Sequence, residues 1–141
     1  MQLLDVNVLI NAHREDADRH KDYLAFVGDL VNGEETYAVS DAVIAGFLRV
    51  VTNARIPNPS PLDVALEFAE RVRNQPHAVV LHAGRRHWEI FSRLCRETAA
   101  TGKLVPDAYL AALAIEHGCE FVTCDGDFAK FKGLRSRHPL N

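Results

Sequence analysis

Four aspartates fall where the chain changes direction: Asp5 closes the apolar run at Met1 to Leu4, Asp107 follows Pro106 at a helix start, and Asp125 and Asp127 close the stretch FVTCDGD. Carboxylates crowded within a few ångströms repel, and each raises the pKa of the others unless a cation neutralises them. Hard cations such as Mg²⁺ and Mn²⁺ take oxygen ligands and are held by a few carboxylates plus waters, with positions left open for phosphate oxygens. A site of this kind lowers the pKa of a bound water and polarises a phosphodiester, so hydrolysis needs no histidine as general base. Any one of these aspartates alone reads equally as a turn former or a cap. The set carries the argument, because several carboxylates in apolar flanks, without basic neighbours in sequence, are expensive to bury for structure alone. Asp127 has three open roles: direct coordination, coordination through water, or capping the short helix at Phe128. Asn7 and Thr123 are placed to orient a carboxylate or a water, or to act as local caps.

Short apolar runs alternate with helical stretches, which predicts a parallel sheet covered by helices. The first strand spans about Gln2 to Leu4, followed by a helix through His13 and a second from about Asp18 to Val31, with Asn32-Gly33 as the turn. Thr36 to Val39 is a β-prone run, and Ser40 is a cap for a helix whose apolar face is Val43, Ile44, Phe47, Leu48 and Val51. The loop Asn53 to Ser60 leads into a helix with Ser60 as cap, Pro61 at its first position and Asp63 three residues after the cap. Ala78 to Leu81 reads as a buried strand. The next helix shows Trp88, Phe91, Leu94, Cys95 and Thr98 on one face, a core stripe in preference to a base-stacking platform. The helix around Asp107 is thin, with Ala108, Ala111, Ala112 and Ala114. Glu120 to Thr123 is a strand, and LRSR is an edge-strand candidate. In a parallel sheet all carboxyl ends face one way and ligands bind beyond them where strand order reverses, so Asp5 and Asp125 should share an edge. Asp107 reaches that edge from a helix N-terminus.

At 141 residues and 48% hydrophobic content the chain suits one domain, residues 1–141, with a core that needs no disulfides. Cys95, Cys119 and Cys124 form no C-x-x-C pair and read as reduced thiols. No leader-like segment and no long apolar run is present, so the expectation is a soluble, cytoplasmic protein with no membrane partner. The net charge of −3 is unevenly spread: residues 1–70 carry 5 basic and 12 acidic side chains, residues 71–141 carry 11 and 7. After Asp127 come only cations, Lys130, Lys132, Arg135 and Arg137, which suit either a phosphate backbone or a solvated tail. The seven histidines show no metal-ligand spacing and read as surface groups.

LLDVNVLI, SDAVIAGFLRVVTN, VPDAYLAALAIEHG and FVTCDGDFAKF, in this order and spacing, resemble the PIN-domain ribonucleases, and specifically the VapC toxins of bacterial toxin–antitoxin pairs. The resemblance covers nearly the whole chain. It implies a single PIN-like α/β domain with about five mostly parallel strands, a Mg²⁺- or Mn²⁺-dependent endoribonuclease, a VapB-like antitoxin partner and a homodimer. It matches the family's acidic set to Asp5, Asp107 and Asp125, with Asp127 as companion, and makes the substrate structured RNA, namely tRNA cut in a single-stranded loop. Arg85, Arg86, Arg93 and Arg96, clustered with His87, are then candidate phosphate contacts.

One departure stands out. The family commonly has a glutamate in an A-E-x-L setting, which here reads Ala45-Gly46-Phe47-Leu48. Asp41 is the nearest acid, but five residues place it roughly 140° around the helix from Gly46. It either reaches the site from the first turn or stabilises the helix start beside Ser40. Gly46 also keeps a second reading open: a degenerate PIN-like module that binds RNA or antitoxin without cutting. Further alternatives are an aspartate-based phosphatase, for which Asn7 cannot serve as general acid, and a receiver domain, whose expected lysine near a late strand end is not evident.

Overall fold

The computed structural model describes residues 1–141. Five strands, β1 (Gln2–Leu4), β2 (Tyr37–Val39), β3 (Ala78–Val80), β4 (Glu120–Val122) and β5 (Ser136–Arg137), are all parallel in the order β3-β2-β1-β4-β5. Six helices surround them: α1 (Val6–His13), α2 (His20–Asn32), α3 (Asp41–Val51), α4 (Leu62–Arg73), α5 (His87–Thr98) and α6 (Leu104–Glu116). The chain first builds outward from β1 to β2 and β3, then returns to the other side of β1 with β4 and β5. Strand order therefore reverses between β1 and β4, where Gln2, Leu3 and Leu4 stand opposite Glu120, Phe121 and Val122.

Most strands are only three residues long, and their alternation divides the core between two faces. Leu4, Tyr37, Val39 and Val122 join α1, α2, α3 and α4 on one side, with Val8, Phe47 and Val51 fully buried. Leu3, Ala38 and Phe121 point the other way, into α5 and α6. Ala108, Ala111, Ala112 and Ala114 are completely buried, so α6 lies close to the sheet, as its small residues predict. No helix is long and apolar enough to cross a membrane.

The structure corrects several local expectations. Trp88 is 71% exposed, and the buried positions of α5 are His87, Ile90 and Leu94. The buried stripe thus lies on a neighbouring face of the helix. A histidine can sit in the core there because its Nε2 meets the Tyr109 carbonyl at 3.0 Å. His87 is only 4% exposed, so the histidines are not all surface groups. His13 likewise packs against Phe47 and Phe68, with its Nε2 2.9 Å from Ser60 Oγ. That contact removes Ser60 from the cap of α4, which begins at Leu62 after Pro61 with no side-chain cap. Ala78–Val80 is an edge strand, and Val79 is 38% exposed. Helix α2 starts at His20 because Arg19 takes a left-handed conformation, φ 57°, that interrupts helical geometry. Ser40 caps α3 as expected, accepting from the Ala42 N–H.

Candidate active site at the β1–β4 crevice

Asp5 directly follows β1 and Thr123 directly follows β4, so the two residues meet at the carboxyl edge where strand order reverses. The Asp5 N–H still belongs to the sheet, donating to Val122 O at 2.9 Å. Its carboxylate is buried, 4% exposed, and accepts three hydrogen bonds. Oδ1 takes the Val6 N–H at 2.7 Å, capping α1; Oδ2 takes the Thr123 hydroxyl at 2.7 Å and Asn7 Nδ2 at 3.2 Å. Two carboxylate oxygens offer about four lone-pair directions, so one, on Oδ1, is left for a further ligand.

Thr123 joins the two strand ends: its Oγ1 donates to Asp5 and accepts the Asp125 N–H at 3.0 Å. Asn7 adds a second tie, accepting the Cys124 N–H on Oδ1 at 3.1 Å. Both residues hydrogen-bond the Asp5 carboxylate and the backbone just beyond β4. Asp125 caps the short 3₁₀ helix Gly126–Lys130 by accepting the Asp127 N–H at 2.9 Å. Asp127 itself is exposed.

Burial pushes the Asp5 pKa up, helped by the negative charge of Asp125 and opposed by its hydrogen bonds. Asp107, half-buried in the first turn of α6, is raised first by burial, then by Asp5 and Asp125 acting against the positive charges of Lys103 and Lys130. The charges of Asp5 and Asp125 thus act on Asp107. The three carboxylates do not form a closed cage: no group of three or more His, Cys, Asp or Glu side chains is drawn together tightly enough to hold an ion. Mutual repulsion opposes tighter gathering without a cation. The donors are all carboxylate oxygens, a set that fits a hard divalent ion and not a thiolate-seeking one.

Asp41 is not part of this cluster. The Arg73 guanidinium grips it at 2.6 and 3.1 Å and holds its carboxyl below the usual range. Gly46, by contrast, faces the site's margin: a Cβ there would meet Val6 Cγ2 at 3.6 Å, an ordinary contact, one residue from Asp5. Of the arginines singled out from the sequence, Arg85 and Arg86 stand away from Asp107. Glu116, at the far end of α6, accepts the backbone N–H groups of Gly84 and Arg86 at 2.8 and 3.0 Å, which sets Arg85 and Arg86 beside that end of the helix. Arg93 pairs with Glu97 on its own helix, and Arg96 is exposed. Lys103 was not singled out, although its position four residues before Asp107 was legible.

A cleft of about 250 Å³ runs beside Asp125, lined by Thr123, Cys124, Ser136 and His138 among others. A larger one, about 540 Å³ and lined by His13, Arg14, Asn58 and Ser60, contains none of the clustered carboxylates.

A parallel sheet with acids gathered at its switch point is the arrangement of the PIN domain, and the family match covers residues 3–134. The chain belongs to the PIN domain family. Within it the chain is of VapC type: it is 42% identical over 140 residues to Ribonuclease VapC25 of Mycobacterium tuberculosis (strain H37Rv), covering 99% of each protein. Two solved structures share the fold at lower identity. VapC20 of M. tuberculosis, described as a sarcin-ricin loop cleaving toxin, has a TM-score of 0.68 at 17% identity, over 96% of this chain and 99% of that one. A toxin-antitoxin complex from Klebsiella pneumoniae gives 0.61 at 20% identity, over 99% and 98%.

Proposed function

We propose that this protein is the toxin of a type II toxin–antitoxin pair, an endoribonuclease that depends on Mg²⁺ or Mn²⁺ and cleaves structured RNA, with tRNA as the substrate class. The observation that carries this reading is the Thr123 hydroxyl, which ties Asp5 to the Asp125 backbone across the β1–β4 crevice in a chain closely similar, over its whole length, to a VapC ribonuclease.

Asp5, Asp107 and Asp125 would hold the ion, with Asp127 as an outer carboxylate. The chemistry that a bound divalent ion supplies is a lowered pKa for the attacking water and neutralisation of charge on the phosphate and the leaving oxygen. The chain's own part is positional. Thr123 and Asn7 fix the rotation of the Asp5 carboxylate, leaving its free lone pair on Oδ1, and the buried setting keeps competing water away. A VapB-like antitoxin as partner, homodimerisation and a cytoplasmic location belong to the same reading, supported by the toxin–antitoxin fold likeness.

A second reading, a PIN module that binds RNA without cutting, is favoured by Gly46 and by the open arrangement of the carboxylates. One experiment separates them. Purified protein incubated with total RNA and with tRNA should give fragments in Mg²⁺ or Mn²⁺ and none in EDTA, and Asp5→Asn should lower the rate more than about 100-fold. No fragments with either metal would leave the binding module as the surviving reading.

A further inference from the structure

Lys103 and Lys130 come from different elements, the first beside Asp107 at the start of α6 and the second in the short helix that carries Asp127. Lys103 is the residue at which α6 begins, already in helical conformation (φ −58°, ψ −28°). Four residues turn an α-helix through about 400°, so Lys103 stands one turn above Asp107 on nearly the same face. Lys130 ends the 3₁₀ helix that Asp125 caps; with three residues per turn it is eclipsed with Asp127. Both side chains are exposed. Neither belongs to any ion pair, whereas Arg14, Arg19, Arg73, Arg93 and Arg137 are each committed to a carboxylate. Of the arginines proposed from the sequence as RNA contacts, Arg85 and Arg86 stand at the other end of α6.

We infer that Lys103 and Lys130 bind the RNA backbone, contacting phosphates that flank the scissile one and seating it over the carboxylates. This rests on the reading of the chain as an RNA-cleaving protein. The physical need is plain: a polyanion approaching a cluster of aspartates meets repulsion even where one ion is bound. Exposed, uncommitted ammonium groups from two sides of the cluster offset it, each as a compact point charge suited to a single phosphate oxygen. The competing role is structural, with the lysines only neutralising the acids of the folded protein.

The two roles differ in what they move. Binding of a short single-stranded oligoribonucleotide is measured against salt in the Asp5→Asn background, where it is not cut, for Lys103→Ala, Lys130→Ala, their combination and the two Lys→Arg forms. Lys21→Ala, which removes the same charge from α2, is the control. Backbone contact predicts that the double variant reduces the slope of log K against log salt by about 1.4, two contacts at about 0.7 each on single-stranded RNA. The arginine forms restore the slope and Lys21→Ala leaves it unchanged. In the cleaving protein, KM rises roughly tenfold or more with kcat changed much less, since uniform binding is what is lost. An unchanged slope and KM, together with tighter Mn²⁺ binding by the RNA-free double variant, would assign the lysines the structural role and overturn the inference. If the unmodified chain cuts no RNA with either metal but the slope still falls, the nuclease reading fails while the phosphate contacts stand.

Discussion

Asp41 and Asp107 occupy matching stations, each an acid in the first turn of a helix that packs on the sheet, and their surroundings are opposite. Asp41 is capped into place beside Ser40, exposed, and held by both arms of Arg73, so its pKa falls. Asp107 is half-buried, is held by no hydrogen bond that would favour its charge, and faces two further carboxylates, so its pKa rises. Where this chain uses Asp41 for structure it supplies a partner; at Asp107 it leaves an acid unpartnered near other acids, and the charge there costs stability. The helix start alone does not distinguish the two residues. Only the company each keeps does so.

The contrast predicts that changes around Asp107 alter chemistry and that changes at Asp41 alter stability alone. The largest effect expected outside the carboxylates themselves is from Thr123→Val. It removes the donor to Asp5 and the acceptor for the Asp125 N–H, and RNA cleavage should fall roughly 10- to 100-fold with the fold retained. Cleavage at the unmodified rate would show that this link is dispensable. Gly46→Glu comes next. A Cβ fits against Val6, and the new carboxylate near Asp5 should tighten Mn²⁺ binding, read by calorimetry, by about tenfold. Weaker Mn²⁺ binding would mean that the added side chain points away.

The smallest effect is one of sign. The folded-state pKa of Asp107 lies above its unfolded value of about 3.8, so at neutral pH its charge opposes folding, and that penalty disappears as the pH falls through the folded pKa toward the unfolded one. Metal-free Asp107→Asn should therefore melt about 2 °C higher at pH 7 and show no gain near pH 3. The folded-state pKa of Asp41 is depressed, so its contribution is present above the unfolded value and lost as the pH falls through the folded one. Asp41→Asn should melt slightly lower at pH 7, with the deficit closing on acidification and RNA cleavage unaffected. Thermal scans showing the same sign for both variants would dissolve the contrast.

Much of this was legible in the sequence. Alternating apolar runs located every strand to within a residue or so, and the aspartates beyond β1 and β4 followed from the rule that parallel strands share a carboxyl edge. Asn7 and Thr123 could be nominated for the same reason. The failures have physical causes. A short apolar run looks alike in the centre and at the edge of a sheet, so Ala78–Val80 read as buried. Helical periodicity placed the stripe of α5 on Trp88 because a core histidine is discounted unless its partner, here the Tyr109 carbonyl, is known. Ser60 read as a cap because its actual partner, His13, is 47 residues away.

Asp5 lies just beyond the first strand laid down and Asp125 beyond the fourth, with Thr123 as the clasp between them. During synthesis on the ribosome, every nascent chain that ends before β4 lacks one side of the crevice, however well α1 to α6 have formed. On the proposed reading, a growing amino-terminal fragment holds an incomplete carboxylate set, and translation products that stop short of Thr123 should cut no RNA.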